Sequence, residues 1–382
     1  MDISGKKILM VVNYEKNDRS VGITKKIEGE IQTLRAMGAR VVYSAYESNG
    51  VCIWNEYDEL LWHRPWSIKN SYYIKKFRRF ELIKTINDFL KLKKETFDIG
   101  YLRYLGFDGS FIKILKKMKQ QKMVILLESL SWVPGTKIWG RSLGWAYIGI
   151  FTILNGKKAG KYLDLVLEEG SYETMFGCKA IPFGNGVVVD NYEKHRYLGQ
   201  SNALNLISVA NETVYHGYDR LIYSIYCYYK NPRDYSVKLY LVGEISDKTK
   251  DLVKKLKLEN QVVLCGKNHG EELDNIYKKC NMAVGPLGQH RVGGKKDTGL
   301  KTKEYFARGI PYFYAGEERL IPPNYPFVME VPSDESSIDF EQVFCFWKQV
   351  EKIQNHAEQM RKFAKENYSW KKIMKDVFEE VS

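Results

Sequence analysis

Apolar runs of strand length alternate with segments of helical periodicity, and they do so twice along the chain. "KKILMVVN" (6–13) ends at a polar loop, as a buried strand does. Ile23, Ile27, Ile31 and Leu34 then recur at helical spacing, and Gly38 stops that helix. "ARVVYSAY" (39–46), "FDIGYLR" (97–103), a basic helix around 110–119 and "MVILLES" (123–129) continue the pattern. Strands alternating with helices mean a parallel sheet covered on both faces.

A second series begins near residue 204. Its strands read at "LNLISVA" (204–210), "VKLYLVG" (237–243), "QVVLCG" (261–266), "MAVGP" (282–286) and "IPYFY" (310–314). Helices fall between them, among them "DRLIYSIYCYY" (219–229) and "GEELDNIYKKC" (270–280). The polar stretch "DNYEKHRYLGQSN" (190–202) separates the series, and 382 residues are too many for one ordinary core. The expected architecture is α/β: two doubly wound domains, 1–190 and 191–366, facing one another across a cleft.

Ligands of such sheets bind beyond the carboxyl ends of the strands. That rule selects Asn13, Arg103 with Tyr104, Glu128, Asn211, Gly243 with Glu244, and Gly285-Pro286. Each has a plainer alternative: Glu128 as a helix cap, for example, or Arg103 in a surface ion pair. Gly285-Pro286 leads into "GGKKDTGLKTKEYFARGIPYFYAG" (293–316), where Lys295, Lys296 and Lys301 surround the start of a helix. Positive charge at that end opposes the helix dipole unless an anion comes to sit there.

The net charge of +13 points to an anionic partner: nucleic acid, a membrane surface or a phosphorylated ligand. Residues 69–94 hold nine Lys and Arg against two acids, with Tyr72, Tyr73, Phe77 and Phe80 interleaved. That composition suits either a solvated helix face or a lipid surface. In "WGRSLGWAYIGIFTILNGKKAGK" (139–161) the apolar run from Leu143 to Leu154 is twelve residues, too short to span a bilayer. Trp139 and Trp145 suit a headgroup layer, and Arg141, Lys157, Lys158 and Lys161 suit anionic lipid; a buried core helix is the alternative. Six cysteines (52, 178, 227, 265, 280 and 345) lie scattered with no CxxC pair, as buried reduced thiols of a cytosolic protein do. The opening "MDISGKKILMVVNY" is too short in its apolar run for a signal peptide or a membrane span. The expectation is a soluble cytoplasmic protein that docks peripherally on the inner, anionic membrane face.

Taken together, the motifs of the second half resemble the GT-B retaining glycosyltransferases of the family-4 type, particularly those building bacterial capsular and exopolysaccharides. "IPFGNGVVVDNY" (181–192) is similar to that family's hinge segment, and "ISVANETVYHGYDRLI" (207–222) to the strand and loop ahead of the donor domain's first helix. "KLYLVGE", "NQVVLCG", "LDNIYKKCNMAVGP" and "LKTKEYFARGIPYF" follow in the family's order and at its spacing. The resemblance is strong over 181–316 and weaker before it. "YSWKKIMKDVFEE" (368–380) is similar to the terminal helix that crosses back onto the first domain, so 367–382 is expected there.

In that family the donor is a nucleoside-diphosphate sugar, so the resemblance implies that the anion is the donor's diphosphate, a UDP-sugar ahead of a GDP-sugar. It puts the backbone N–H groups of Gly299 and Leu300 at the diphosphate, with Lys301 as a point charge beside them. Glu304 matches the family's closing glutamate, which accepts hydrogen bonds from both ribose hydroxyls. Gly243 belongs to the same donor half. The family's first glutamate lies eight residues before Glu304, where this chain has Lys296, and the family's phosphate-binding Arg and Lys fall on Asn211 and His216. Arg291, Lys295 and Lys301 are expected to supply the missing charge; the alternative for Lys295 and Lys296 is solvent. His216 and His290 suit phosphates or are ordinary loop histidines.

In the first domain Gly22-Ile23-Thr24 opens a helix as the family's glycine loop does near the leaving phosphate or acceptor, so the resemblance puts Gly22 with the donor-binding residues. Arg103 and Glu128 resemble polar residues of the acceptor half and are the expected catalytic residues. The resemblance implies transfer with retention to a saccharide acceptor, lipid-linked in such enzymes. The leaving diphosphate itself takes the acceptor's proton. No metal and no other cofactor is implied. Two alternatives stand beside it: a nucleotide-sugar epimerase or hydrolase of the same fold, and a non-enzymatic basic nucleic-acid-binding protein. No recognised nucleic-acid motif occurs, so no specific nucleic-acid partner is expected.

Overall fold

The computed structural model describes residues 1–16, 22–68, 71–93, 95–129, 143–168, 172–197, 202–292, 299–318 and 321–381. The chain divides into two compact units, one of Met1–Gly184 with the chain from Ile373 onward, the other of Asn185–Lys372.

The first unit is built on β1 (Lys7–Val11), α1 (Gly22–Ala36), β2 (Arg40–Glu47), β3 (Gly50–Trp54), β4 (Leu60–Pro65) and α2 (Ser71–Leu92). It continues through β5 (Ile99–Arg103), α3 (Gly109–Gln120), β6 (Val124–Ser129) and α4 (Leu143–Gly160) to β7 (Leu165–Glu168), β8 (Thr174–Met175) and β9 (Cys178–Pro182). The sheet order is β4-β3-β2-β1-β5-β6-β7-β9-β8. Its centre is parallel, as the fully apolar runs require: Leu9 pairs with Val42 on one side and Gly100 on the other. Both edges are antiparallel additions absent from the sequence expectation. At one, β2, β3 and β4 form a meander in which Ala45 faces Cys52 and Cys52 faces His63. At the other, β8 runs antiparallel to β9. Leu9, Val11, Ile125 and Leu127 of the sheet pack with Ile86 and Phe89 of α2 and Phe111 and Leu115 of α3. Asp108 caps α3 by accepting from the N–H groups of Ser110 and Phe111.

The second unit contains β10 (Ala203–Val209), α5 (Tyr218–Tyr228), β11 (Ser236–Val242), α6 (Asp247–Lys255), β12 (Val262–Gly266) and α7 (Gly270–Tyr277). Then come β13 (Met282–Val284), α8 (Leu300–Arg308), β14 (Tyr312–Ala315), β15 (Val328–Val331), α9 (Phe340–Glu351) and α10 (His356–Asn367); the chain's last helix, α11 (Trp370–Glu379), lies mostly in the first unit. The sheet is parallel throughout, in the order β12-β11-β10-β13-β14-β15, which is the doubly wound Rossmann order. Leu206, Leu239 and Leu241 meet Leu221 and Ile225 of α5, Phe306 of α8 and Trp347 of α9 in its core.

The boundary falls earlier than the polar stretch at 190–202 suggests. Val187 and Val189 are buried in the second core, and Val187 exchanges backbone hydrogen bonds with Tyr368 and Trp370 at 2.8 and 3.2 Å. From Ile373 the chain belongs to the first unit, where the Met1 amino group donates to the Phe378 carbonyl at 2.5 Å and Lys179 pairs with Glu380 at 2.6 Å. All six cysteines are free thiols, but Cys227 and Cys345 are exposed where burial was expected. Their helices, α5 and α9, turn those positions to solvent.

Candidate functional site

In the second sheet the strand order reverses between β10 and β13, and three segments converge at their carboxyl ends. The first is the turn Val214–His216 after β10; the second is Gly285–Gly288 after β13. They are joined by Leu287 N–H donating to the His216 carbonyl at 3.3 Å and Gly288 N–H to the Tyr215 carbonyl at 3.0 Å. The third is the start of α8, fixed beneath by the Tyr305 hydroxyl donating to the Val284 carbonyl at 3.0 Å. Its cap is Gly299, which has no side chain to occupy the first-turn N–H groups, and Leu300 is its first residue.

His216 is buried and its Nδ1 accepts from the Thr213 backbone N–H at 3.1 Å, so the neutral ring carries its proton on Nε2. Burial, and then the Lys301 charge, push the imidazole down to about 3. The ring stacks on Tyr218, centroids 5.4 Å apart. A neutral donor and a lysine thus sit together at a helix start. Thr302 and Lys303 are committed elsewhere: both bond to Glu318, at 3.0 and 2.5 Å.

Gly243, at the exit of β11, has φ +131°, and a Cβ there would collide with the Ala210 carbonyl oxygen. Asn211 Oδ1 accepts from Glu244 N–H at 3.0 Å, and Glu212 accepts from Ser246 N–H and the Thr249 hydroxyl at 2.7 and 2.6 Å. Asn211 therefore splints two strand exits together.

Glu304 is buried one turn into α8, and the Tyr192 phenol donates to its carboxylate. Burial first, then this carboxylate, hold the Tyr192 phenol well above its ordinary range. Arg308 lies beyond, stacked on Tyr277 at 4.2 Å and paired with Asp274 at 2.7 Å. Arg291 is held by Asp219 and Glu335, at 2.7 and 2.5 Å, and His290 also meets Glu335 at 2.6 Å. Its guanidinium is thus partnered by carboxylates distant in sequence. Lys295 and Lys296 lie outside the described residues, as do Trp139 and Arg141 and the side chains of Lys75, Lys76 and Trp145.

In the first unit Glu128 is the last residue but one of β6, with its side chain sealed. Lys26 Nζ lies 3.0 Å away, Arg103 Nε 3.9 Å away, and the Tyr101 hydroxyl donates at 3.1 Å. Lys26 also pairs with Glu30, four residues on along α1, and lies over the Phe183 ring. Burial alone would raise the Glu128 carboxyl, but Lys26 and Arg103 outweigh it and hold it low. Glu30 goes the other way: burial, against the pull of Lys26 and helped by Glu128, pushes it up to about 7. Arg103 and Glu128 are thus brought together, whereas Gly22 stands exposed at the first position of α1. Lys26 and Glu30 escaped the sequence reading, because an i,i+4 Lys–Glu pair ordinarily marks a solvated helix face. Among the described residues no group of three or more His, Cys, Asp or Glu is placed to hold a metal ion.

No family model matches the chain, and no curated protein matches it by sequence. Solved structures do match over nearly its whole length. A glycosyltransferase from Rickettsia africae aligns at 14% identity over 99% of this chain and 98% of its own, with a TM-score of 0.66. WaaG, a glycosyltransferase involved in lipopolysaccharide biosynthesis, aligns at 13% over 97% and 98%, with a TM-score of 0.60. Alr3699/HepE of Anabaena, solved in complex with UDP, aligns at 12% over 98% of each chain, with a TM-score of 0.57. The chain has the GT-B fold of these glycosyltransferases, with two Rossmann-like domains.

Proposed function

We propose that the protein is a glycosyltransferase that moves a sugar from a nucleoside-diphosphate sugar, UDP in the first instance, to a saccharide acceptor. The observation that carries this is the convergence of the Val214–His216 turn, the Gly285–Gly288 segment and the start of α8 on the switch point of a Rossmann sheet. The diphosphate lies on the N–H groups of Gly299 and Leu300, with the Lys301 charge and the His216 Nε2–H beside it. Gly243 permits close backbone approach, and Glu304, steadied by Tyr192, offers its remaining lone pairs to the ribose hydroxyls. Asn211 acts by splinting the site. Arg291, held between two carboxylates, has the smaller part. Lys295 keeps the phosphate role that its place in the sequence suggests.

Arg103 and Glu128 are assigned catalytic parts in the acceptor half and Gly22 a place beside the donor phosphate, and the acceptor is a lipid-linked saccharide of bacterial surface polysaccharide synthesis. Transfer proceeds with retention. The bond from the anomeric carbon to the diphosphate oxygen breaks, a bond to the acceptor oxygen forms, and the leaving diphosphate takes the hydroxyl proton. No metal is assigned a part. The fold shared with a structure solved with UDP supports the donor class. A thermal-shift panel of UDP, GDP and ADP tests the reading: UDP is expected to raise the melting temperature most. If none of the three shifts it, the reading is wrong.

A further inference from the structure

Helix α4 is apolar on more than one face. Ile148 packs beside Gly106, and the helix's small and polar residues also face the protein. The Thr152 hydroxyl meets Tyr104, Asn155 Nδ2 donates to the Phe107 carbonyl at 2.9 Å, and Gly160 lets the Phe176 backbone come so close that a Cβ would collide with it. Three of its branched aliphatics face outward: Ile150, Ile153 and Leu154 are 48, 65 and 70% exposed. These positions continue at helical spacing into Lys157 and Lys158, also exposed, so one stripe runs from apolar to basic.

The stripe is continuous with a second one. Phe80 of α2 meets Tyr147 of α4 edge-on, ring centroids 5.7 Å apart, and Tyr73, Phe77, Phe80 and Lys84 are all exposed along one face of α2. Two segments far apart in sequence thus form one aromatic, aliphatic and basic surface of the first unit. Its cations differ from those the sequence suggests. Arg78 and Arg79 are drawn to Glu15 and Asp108, at 3.0 and 2.7 Å, while Lys84, Lys91, Lys157, Lys158 and Lys161 are exposed.

We infer that this surface lies on an anionic lipid bilayer, with Ile153 and Leu154 among the acyl chains and the lysines at the headgroups. Among the described residues no helix is long and apolar enough to cross a membrane, so the protein rests on the surface without spanning it. Charge decides between lipid and a second copy of the chain. α2 carries six Lys and Arg against two acids, and α4 two Lys and no acid. A twofold copy would set this basic surface against itself, whereas anionic headgroups complement it. The inference stands apart from the proposed sugar transfer.

Co-sedimentation with vesicles tests it. At low salt the protein is expected to pellet with phosphatidylglycerol vesicles and about tenfold less with phosphatidylcholine ones, and to be released as salt rises. Ile153→Asp with Leu154→Asp should abolish pelleting while leaving the melting temperature unchanged, since both positions already face outward. Lys84→Gln with Lys157→Gln and Lys158→Gln should weaken it by roughly tenfold or more, at about 1 kcal/mol per base. The inference is overturned if the wild type ignores phosphatidylglycerol vesicles or binds phosphatidylcholine equally well. It is also overturned if the aspartate pair pellets undiminished, or if sedimentation shows a dimer that this pair dissociates and no lipid binding.

Discussion

Lys26 Nζ stands 3.0 Å from Glu128 Oε1 with both side chains sealed from water, and the same ammonium holds Glu30. One cation thus binds two carboxylates from different elements, α1 and β6. Lys26→Met would keep the volume of the stem and leave both carboxylates facing each other without it. Removing one partner of a buried ion pair costs about 3–5 kcal/mol. Urea unfolding should therefore show a large loss for Lys26→Met and a smaller one for Glu30→Gln, which removes a carboxyl already pushed up by burial. Equal stability of wild type and Lys26→Met would show that the cluster is hydrated.

Lys301 is expected to matter for ligand and not for folding. In the proposed role it faces the donor's diphosphate, and a hydrogen bond to a charged group is worth about 1.5–3 kcal/mol. Lys301→Ala should weaken UDP binding roughly ten- to a hundred-fold by isothermal titration. Lys303→Ala, one position pair away on the same helix, should leave affinity nearly unchanged and lower stability, because its ammonium is bound to Glu318 inside the unit. A reversed pattern would assign the diphosphate elsewhere.

Much of the fold was legible because the central strands of both sheets are buried on both faces and so read as continuous apolar runs. The meander was not. β4, "LLWHRP", is half-exposed and carries no such run, and only its register against β3 makes it a strand. The partners of the candidate site residues were not legible. His216 and Glu304 are named through the family resemblance and Lys301 through its place at a helix start, whereas the Tyr192 phenol on Glu304 and the Asp219 and Glu335 carboxylates on Arg291 are tertiary contacts that neither carries. Arg291 read as a spare cation for that reason. Lys26 and Glu30 went unread because their shared partner Glu128 comes from another element.

Gly243 and Gly266 both have positive φ, +131° and +69°, but only Gly243 is crowded, against the Ala210 backbone. The two substitutions to Ala separate strain from collision. Gly266→Ala should cost about 1–3 kcal/mol for the backbone conformation alone. Gly243→Ala should cost more, and should also weaken UDP binding by displacing the Asn211–Glu244 clasp, whose bond is 3.0 Å. Chemical denaturation and titration of both variants check this. Equal stability losses with intact affinity would remove Gly243 from the site.

Acid should unfold the second unit through histidines that the fold keeps neutral. Burial first, then the Lys301 charge, hold His216 at about 3, and burial holds His195 at about 4, both below the ordinary 6.5. Above pH 6.5 neither state binds these protons and stability is flat on their account. As pH falls below 6.5 the unfolded chain takes them up and the native state does not, so native stability is lost at about 1.4 kcal/mol per pH unit for each ring. The loss continues down to the folded values and then levels. His216→Asn keeps an acceptor for the Thr213 N–H, and His195→Gln keeps a donor for the Cys280 carbonyl 2.8 Å away, while neither titrates. Between pH 6.5 and 5, each variant should therefore gain about 1.5–2 kcal/mol on the wild type in urea unfolding. Parallel wild-type and His216→Asn curves across that window would mean that the native ring is protonated, and with it that Lys301 does not sit beside a neutral donor.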